Sequence, residues 1–271
     1  MHVPGSNGQE AIIPMGRVHM DLHVSAISSP GGRAVNEDAY GFWSGPDCWF
    51  GVLSDGVGGH AGGEIASRLA VQQALACFHR CPQATAANVL AAILAAHESL
   101  RAEQRRRPEL AGMRATLAIL AVDTVNARAT WGHVGDTRLY CFRTNAVLLQ
   151  TRDHSLVQTM VDAGYLAQGD LRDSLHRNAL LAAVGDTDAP EPRVEEPALC
   201  VRDGDRFLLC TDGFWEYVRE VDMEQSLAAS ISPDAWLSRL EQMIRERGRP
   251  AQDNYSALAI ACLDPCTTVL R

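Results

Sequence analysis

Apolar positions recur along this chain in two rhythms. Over 19–28 they alternate with polar ones and include Val24 and Ile27, as in a half-buried strand. The run 49–54 (WFGVLS) is instead continuous, a short buried strand that stops at Asp55. Stretches 114–122, 128–134, 138–143, 205–211 and 255–263 read as further strands, several joined by tight turns. A helical rhythm governs 64–78 and 84–106; in the first, Ile65, Leu69 and 72–75 form one apolar face. Another helix is expected over 151–164, where Ser155 followed by Gln158 fits a capping box and Gly164 a stop. Helices also start at Phe214 and cover 233–247.

Between these elements the pattern weakens. Residues 1–17 read as a flexible tail, and 165–178 as a polar flap on the surface rather than core. No internal repeat or low-complexity linker divides the remainder, so 18–271 is expected to be one domain. Helices alternating with groups of hairpin-joined strands point to an α+β fold with largely antiparallel sheets.

Composition narrows the chemistry. All 24 basic residues are arginine, which removes the lysine that P-loop nucleotidases, protein kinases and pyridoxal enzymes need. A formal charge of −9 disfavours nucleic acid and anionic membrane surfaces. Eight cysteines occur without a secretory h-region in the first residues, so a cytoplasmic setting with reduced thiols is expected. Cys77 with Cys81, and Cys262 with Cys266, keep zinc ligation as a minor alternative.

Carboxylates stand where the apolar runs break off: Asp55 in LSDG, Asp136 in VGDT, Asp212 in CTDG and Asp253 in QDN, with Asn36-Glu37-Asp38 upstream. One Asp-Gly turn means little, because the pair is a common turn former. Several on one domain imply convergence, and carboxylates cannot be gathered without a cation, since like charges repel and raise each other's pKa. Oxygen ligands alone select hard ions such as magnesium, manganese or calcium.

The ordered set Arg33-x-x-Asn36-Glu37-Asp38, Asp55-Gly56-Val57-Gly58-Gly59-His60, Gly135-Asp136-Thr137, Thr211-Asp212-Gly213 and Asp253-Asn254 resembles the metal-dependent protein phosphatases. These are the type 2C serine/threonine phosphatases, and the likeness is to their bacterial branch; it runs from about 19 to 263. The resemblance implies a four-layer αββα sandwich with the metal site in a cleft at one end of the sheets. It implies two or three divalent cations, Mn2+ or Mg2+. Asp55 would bridge two of them, with the Gly56 carbonyl as a further ligand. Asp212 and Asp253 would complete one ion, and Glu37 and Asp38 would ligate or orient water. Asp136 with Asp212 would hold a looser third ion, and Arg33 would grip the substrate phosphate. A hydroxide shared by two metals would then attack phosphorus in line.

The pattern departs from the family in two places. Animal-type relatives carry a histidine two residues after the bridging aspartate, where this chain has Val57; His60 is therefore only a candidate general acid. Arg114-Ala115-Thr116 replaces a Gly-Thr-Thr-like strand start and reads as a core adjustment. Asp153-His154-Ser155 imitates a hydrolase triad in composition, but consecutive residues cannot stack into one, so its expected work is to start a helix.

The expected activity is dephosphorylation of phosphoserine and phosphothreonine in proteins, opposing a bacterial Ser/Thr kinase. The strings 212–216 (DGFWE) and 253–256 (DNYS) resemble members associated with type VI secretion, which would make that kinase or a forkhead-associated protein the partner. Two alternatives stand beside this reading: a phosphatase of an anti-anti-sigma-type regulator, and a catalytically silent phosphoprotein-binding module of the same fold.

Overall fold

A computed structural model describes residues 19–57 and 62–264. The first eighteen residues, residues 58–61 with His60 among them, and Cys266 lie outside them. In chain order the elements are β1 (Asp21–Ser29), β2 (Asp38–Ser44), β3 (Cys48–Val57), α1 (Gly62–Arg80), α2 (Ala86–Arg106), β4 (Arg114–Ala115), β5 (Leu117–Asp123), β6 (Arg128–Val134), β7 (Arg138–Arg143) and β8 (Ala146–Gln150). Then come α3 (Leu156–Asp162), β9 (Arg193–Val194), β10 (Leu199–Cys200), β11 (Arg206–Cys210), α4 (Asp212–Trp215), α5 (Glu220–Ala228), α6 (Pro233–Arg247) and β12 (Tyr255–Leu263).

Two antiparallel sheets stack face to face. One has the order β1-β12-β11-β7-β8; the other runs β10-β6-β5-β3-β2, with β4 added to β3 and β9 to β6. The apolar runs are unbroken because their strands are buried on both faces. In β3, Phe50 and Val52 point toward α1 and α2, while Trp49 and Leu53 point into the layer between the sheets. In β12, Ala257 and Ala259 face the helices of the other side, while Leu258 and Ile260 face the inter-sheet layer. Opposite faces of one strand thus feed two cores, which is the strand period of two at work. Helices α1 and α2 cover the second sheet, where Phe50 and Phe78 stack with centroids 3.8 Å apart. Helices α4 to α6 cover the first, seating Trp215 and Trp236. The result is the αββα sandwich that the resemblance implies.

Local chemistry sets the helix starts. The Thr85 hydroxyl accepts from Asn88 N at 3.2 Å, and the Ser232 hydroxyl from Ala235 N at 3.1 Å with Pro233 in the first turn. Ser155 caps α3 by accepting from Gln158 N at 3.2 Å, but the Gln158 side chain donates to Asp162, so only half of the capping box forms. Helix α3 is therefore shorter than the periodicity predicts: Thr151 and Asp153 are used by tertiary bonds to Leu139 N and Arg138. Gly164 ends it with a φ of +78°, a conformation that glycine adopts without penalty.

Other expectations need correction. The strand over 114–122 splits at Thr116, which leaves the ladder to brace the end of β3: its N–H donates to Asp55 O at 2.9 Å and its hydroxyl accepts from Asp55 N at 3.0 Å. The helix expected from Phe214 is one turn beginning at Asp212, and α5 follows separately. Strands β2 and β8 were not expected either; both are half-exposed edge strands whose mixed composition hides the alternation. The stretch after α3 has little regular structure, with Tyr165 and Leu175 exposed. It is nonetheless tied down through Leu171, which is buried, and Arg172, which donates to Trp215 O at 2.8 Å and to Glu220.

Candidate metal and phosphate site

The β2–β3 hairpin brings the first carboxylates together. Its antiparallel register pairs Asp38 with Asp55, placing two acidic residues side by side at the end of the second sheet. Asp212 arrives from the other sheet, where β11 ends and α4 begins. The two ends are joined by Thr211, whose hydroxyl donates to Asp38 Oδ2 at 3.0 Å, while Ser256 N donates to the same hydroxyl at 3.0 Å. Asp136 sits on the turn between β6 and β7, held by Trp215 Nε1, which donates to Asp136 O at 2.9 Å.

Close backbone approach explains the glycines beside these residues. A Cβ at Gly213 would lie 2.1 Å from Asn254 O, and one at Gly56 would lie 2.1 Å from Gly63 O and 2.8 Å from Glu37 O. No other residue fits where the backbones of β3, the start of α1 and the Glu37 loop meet. That loop is clamped by Asn254: its Oδ1 accepts from Glu37 N at 2.8 Å, and its Nδ2 donates to Pro30 O and Val35 O, both at 2.9 Å. Gly31, with a φ of +58°, and Gly32 let the preceding turn lie directly on Pro250–Asp253. This delivers Arg33 to the rim, where its Nη2 donates to Asp253 Oδ2 at 2.9 Å and more than half of its side chain stays exposed.

The electrostatics are those of gathered like charges. Burial first, then the carboxylates of Asp38, Asp212, Asp136 and Asp253, hold the Asp55 carboxyl well above the usual range. Asp212 is raised in the same sense, by burial and then by Asp136, Glu216, Asp253 and Asp38. Burial also pushes Asp38 up to about 7, against hydrogen bonds from Ser256 and Thr211. Asp136 rises to about 7 through burial and then the nearby Asp153. Asp38 Oδ1 and Asp212 Oδ1 are buried and lack any hydrogen-bond partner. Buried charged oxygens ordinarily have a partner, and a cation is the partner that suits several at once. The donor set is all oxygen, which fits a hard divalent ion. The carboxylates share the cleft without meeting at one point: among the described residues, no three His, Cys, Asp or Glu side chains form a ready-made metal cluster.

The structure therefore brings Glu37, Asp38, Asp55, Gly56, Asp212 and Asp253 to one cleft, with Asp136 alongside and Arg33 on its rim. The triad-like string dissolves. Asp153 makes a two-pronged buried pair with Arg138 at 2.9 and 2.7 Å, His154 stacks on His133, and Ser155 caps α3. Cys48, Cys141, Cys210 and Cys262 are buried thiols, and burial pushes Cys141 up to about 12, as expected of small core residues. The sequence reading assigned no task to Thr211, Thr116, Trp215 or Asn254, which position the carboxylates. Thr211 and Asn254 carried a local signal, by standing next to Asp212 and Asp253; Thr116 and Trp215 carried none.

Comparison with known proteins agrees with this geometry. The family model for protein phosphatase 2C matches residues 31–254. The serine/threonine protein phosphatase PstP of Mycobacterium tuberculosis (strain H37Rv) is 33% identical over 260 residues, covering 92% of this chain and 47% of PstP. The chain thus spans about half the length of that relative. The PstP catalytic domain in complex with two manganese ions superposes with a TM-score of 0.77 at 28% identity, covering 90% of this chain and all of that one. PppA, described as a key regulatory component of the type VI secretion system in Pseudomonas aeruginosa, gives a TM-score of 0.72 at 28% identity, covering 89% of this chain and 98% of that one. Because the matched stretch runs from the Gly31 turn to Asn254, and so through every carboxylate of the cleft, the chain belongs to the protein phosphatase 2C family.

Proposed function

We propose that this chain hydrolyses phosphoserine and phosphothreonine in bacterial proteins, with two or three divalent cations, Mn2+ or Mg2+, in the carboxylate cleft. The observation that carries the reading is the approach of Asp38, Asp55 and Asp212 from the ends of two sheets, two of them with buried oxygens that lack a partner. Asp55, the Gly56 carbonyl, Asp212 and Asp253 would hold the cations, with Glu37 and Asp38 at the adjoining edge and Asp136 beside Asp212. Bound cations would offset the charge of a phosphate dianion and acidify a water at neutral pH.

The chain's own residues do the rest. Arg33 presents a planar guanidinium at the rim, whose paired N–H groups match two phosphate oxygens. Its present partner Asp253 keeps it beside the cleft. The Asn254 clamp fixes the loop that carries both Arg33 and Glu37, and Thr211 engages one oxygen of Asp38 while the other is buried without a partner. The finer reading is a cytoplasmic enzyme opposing a Ser/Thr kinase. The likeness to PppA supports a link to type VI secretion, with a forkhead-associated protein among the candidate substrates.

The test is hydrolysis of para-nitrophenyl phosphate and of a phosphothreonine peptide, with manganese, with magnesium and with chelator, beside Asp212→Asn. Turnover that needs metal and falls at least about 100-fold in the variant is expected. Metal-independent turnover, or full activity in the variant, would overturn the mechanism.

A further inference from the structure

A second charged surface adjoins the cleft, and its sign is opposite. Three separate segments converge on a groove of about 650 Å³: the stretch after α3 supplies Arg172 and Arg177, the start of α5 Arg219, and the end of α6 Arg247 and Arg249. Against these five arginines the lining holds three carboxylates, Asp173, Glu216 and Asp222. The groove is thus a local reversal of sign on a chain of net charge −9.

Part of this charge is already committed. Arg247 grips Asp222 at 2.6 and 2.9 Å, Arg172 reaches Glu220, and Arg177 Nε donates to Glu216 at 2.5 Å. Arg219 and Arg249 make no salt bridge among the described residues. Both border the groove, and Arg219 also helps lower the Asp222 carboxyl, after Arg247. The groove touches the cleft on two sides. Glu216 lines it and is also one of the charges felt by Asp212 and Asp136. Arg249 accepts at its carbonyl from Gln252 N at 2.9 Å, and Gln252 O accepts from Gly32 N at 2.9 Å, so this end abuts the Arg33 turn. Leu175 and Val221 lie exposed on the lining, where an extended peptide could rest its apolar side chains.

Resting on the phosphatase reading above, we infer that this groove is a second anion subsite that recognises a further phosphate on the same substrate segment. A phosphoprotein approaching an acidic chain is repelled unless its charge is met locally. The guanidinium forks of Arg219 and Arg249, which form no salt bridge among the described residues, suit the charge and oxygen geometry of a phosphate dianion better than those of a carboxylate. The site thereby favours substrates phosphorylated twice along one segment and directs the hydrolysed group toward Arg33.

The experiment compares kcat/KM for three peptides of one sequence: one phosphothreonine, two phosphothreonines, and one phosphothreonine with glutamate at the second position. It uses the full chain with manganese and the Arg219→Gln/Arg249→Gln double variant, with para-nitrophenyl phosphate as a small substrate that does not reach the groove. The doubly phosphorylated peptide should be favoured about ten-fold, mainly through KM, and the preference should vanish in the double variant while small-substrate turnover holds. Equal preference in both proteins would overturn the inference. A glutamate peptide as good as the doubly phosphorylated one would also overturn the assignment to phosphate.

In parallel, fluorescence anisotropy of the labelled doubly phosphorylated peptide is read on Asp212→Asn with and without the two arginine changes. The arginine changes should weaken binding about ten-fold. If small-substrate turnover is absent altogether, the phosphatase reading falls, and this binding comparison still decides the groove.

Discussion

The hydroxyl of Thr211 donates to Asp38 Oδ2 at 3.0 Å across 173 residues of chain, joining the end of β11 to the start of β2. It is a direct link between the two sheets at the cleft, and Thr211 is fully buried. Thr211→Val keeps the shape and removes the donor. Asp38 Oδ2 would then lose this donor and Ser256 N its acceptor, at a loss of about 1–3 kcal/mol. Urea unfolding in chelator should show this loss, and the manganese midpoint for turnover should rise; an unchanged unfolding midpoint would show that the bond contributes nothing.

Asn254 satisfies three backbone groups of the loop that carries Arg33 and Glu37. Asn254→Ala should free that loop locally while leaving the two sheets intact. Trypsin cleavage at Arg33 is expected to accelerate at least about ten-fold, because proteolysis follows the population of locally open forms. Cleavage at the wild-type rate would mean that Gly31 and Gly32 packing alone holds the loop.

Arg138 and Asp153 form a buried pair, and Arg138 also lies over the Trp215 ring at 3.7 Å. Asp153→Asn leaves the buried guanidinium with only Glu220, at 4.0 Å, as a countercharge and should cost about 3 kcal/mol, whereas replacing both Arg138 and Asp153 by apolar residues of similar size should recover most of that loss. Chemical denaturation of the three proteins checks the contrast; similar stability in the two variants would refute it.

His154 is held neutral by burial first, then by His133 and Arg193, which lower it from 6.5 to about 4. In the unfolded chain it protonates near the ordinary value, so between about 6.5 and 4 the unfolded state binds more protons and stability falls with falling pH. The contribution is complete above that window. His154→Gln should flatten this part of the stability–pH curve, read from thermal unfolding midpoints at pH 7.5, 6, 5 and 4. A curve parallel to the wild type would assign the acid sensitivity elsewhere.

Much of the site stands in the sequence because its carboxylates end apolar runs. A strand buried on both faces must be continuously apolar, so LSDG and CTDG mark where the apolar runs give way to the acidic end of the sheets, although β3 itself continues to Val57. Helices α1, α2 and α6 are equally legible, since one face of each is buried and the apolar residues recur with the helical period. Edge strand β2 was hidden: only alternate positions are covered, and Tyr40 and Phe42 point outward where a core reading would bury them.

Residue type and short-range period fix the supply of oxygen ligands, the absence of lysine chemistry and the sheet or helix character of the long apolar runs, but not edge strands β2 and β8. Packing sets that Asp38 lies opposite Asp55, that Thr211 and Asn254 hold the acidic loop from more than 170 residues away, and that Asp153 serves Arg138 rather than His154. It also sets that five arginines from three distant segments border one groove. Sheet register, long-range hydrogen bonds and surface charge arise from packing between segments, and local preference carries no record of which distant segment will be the neighbour.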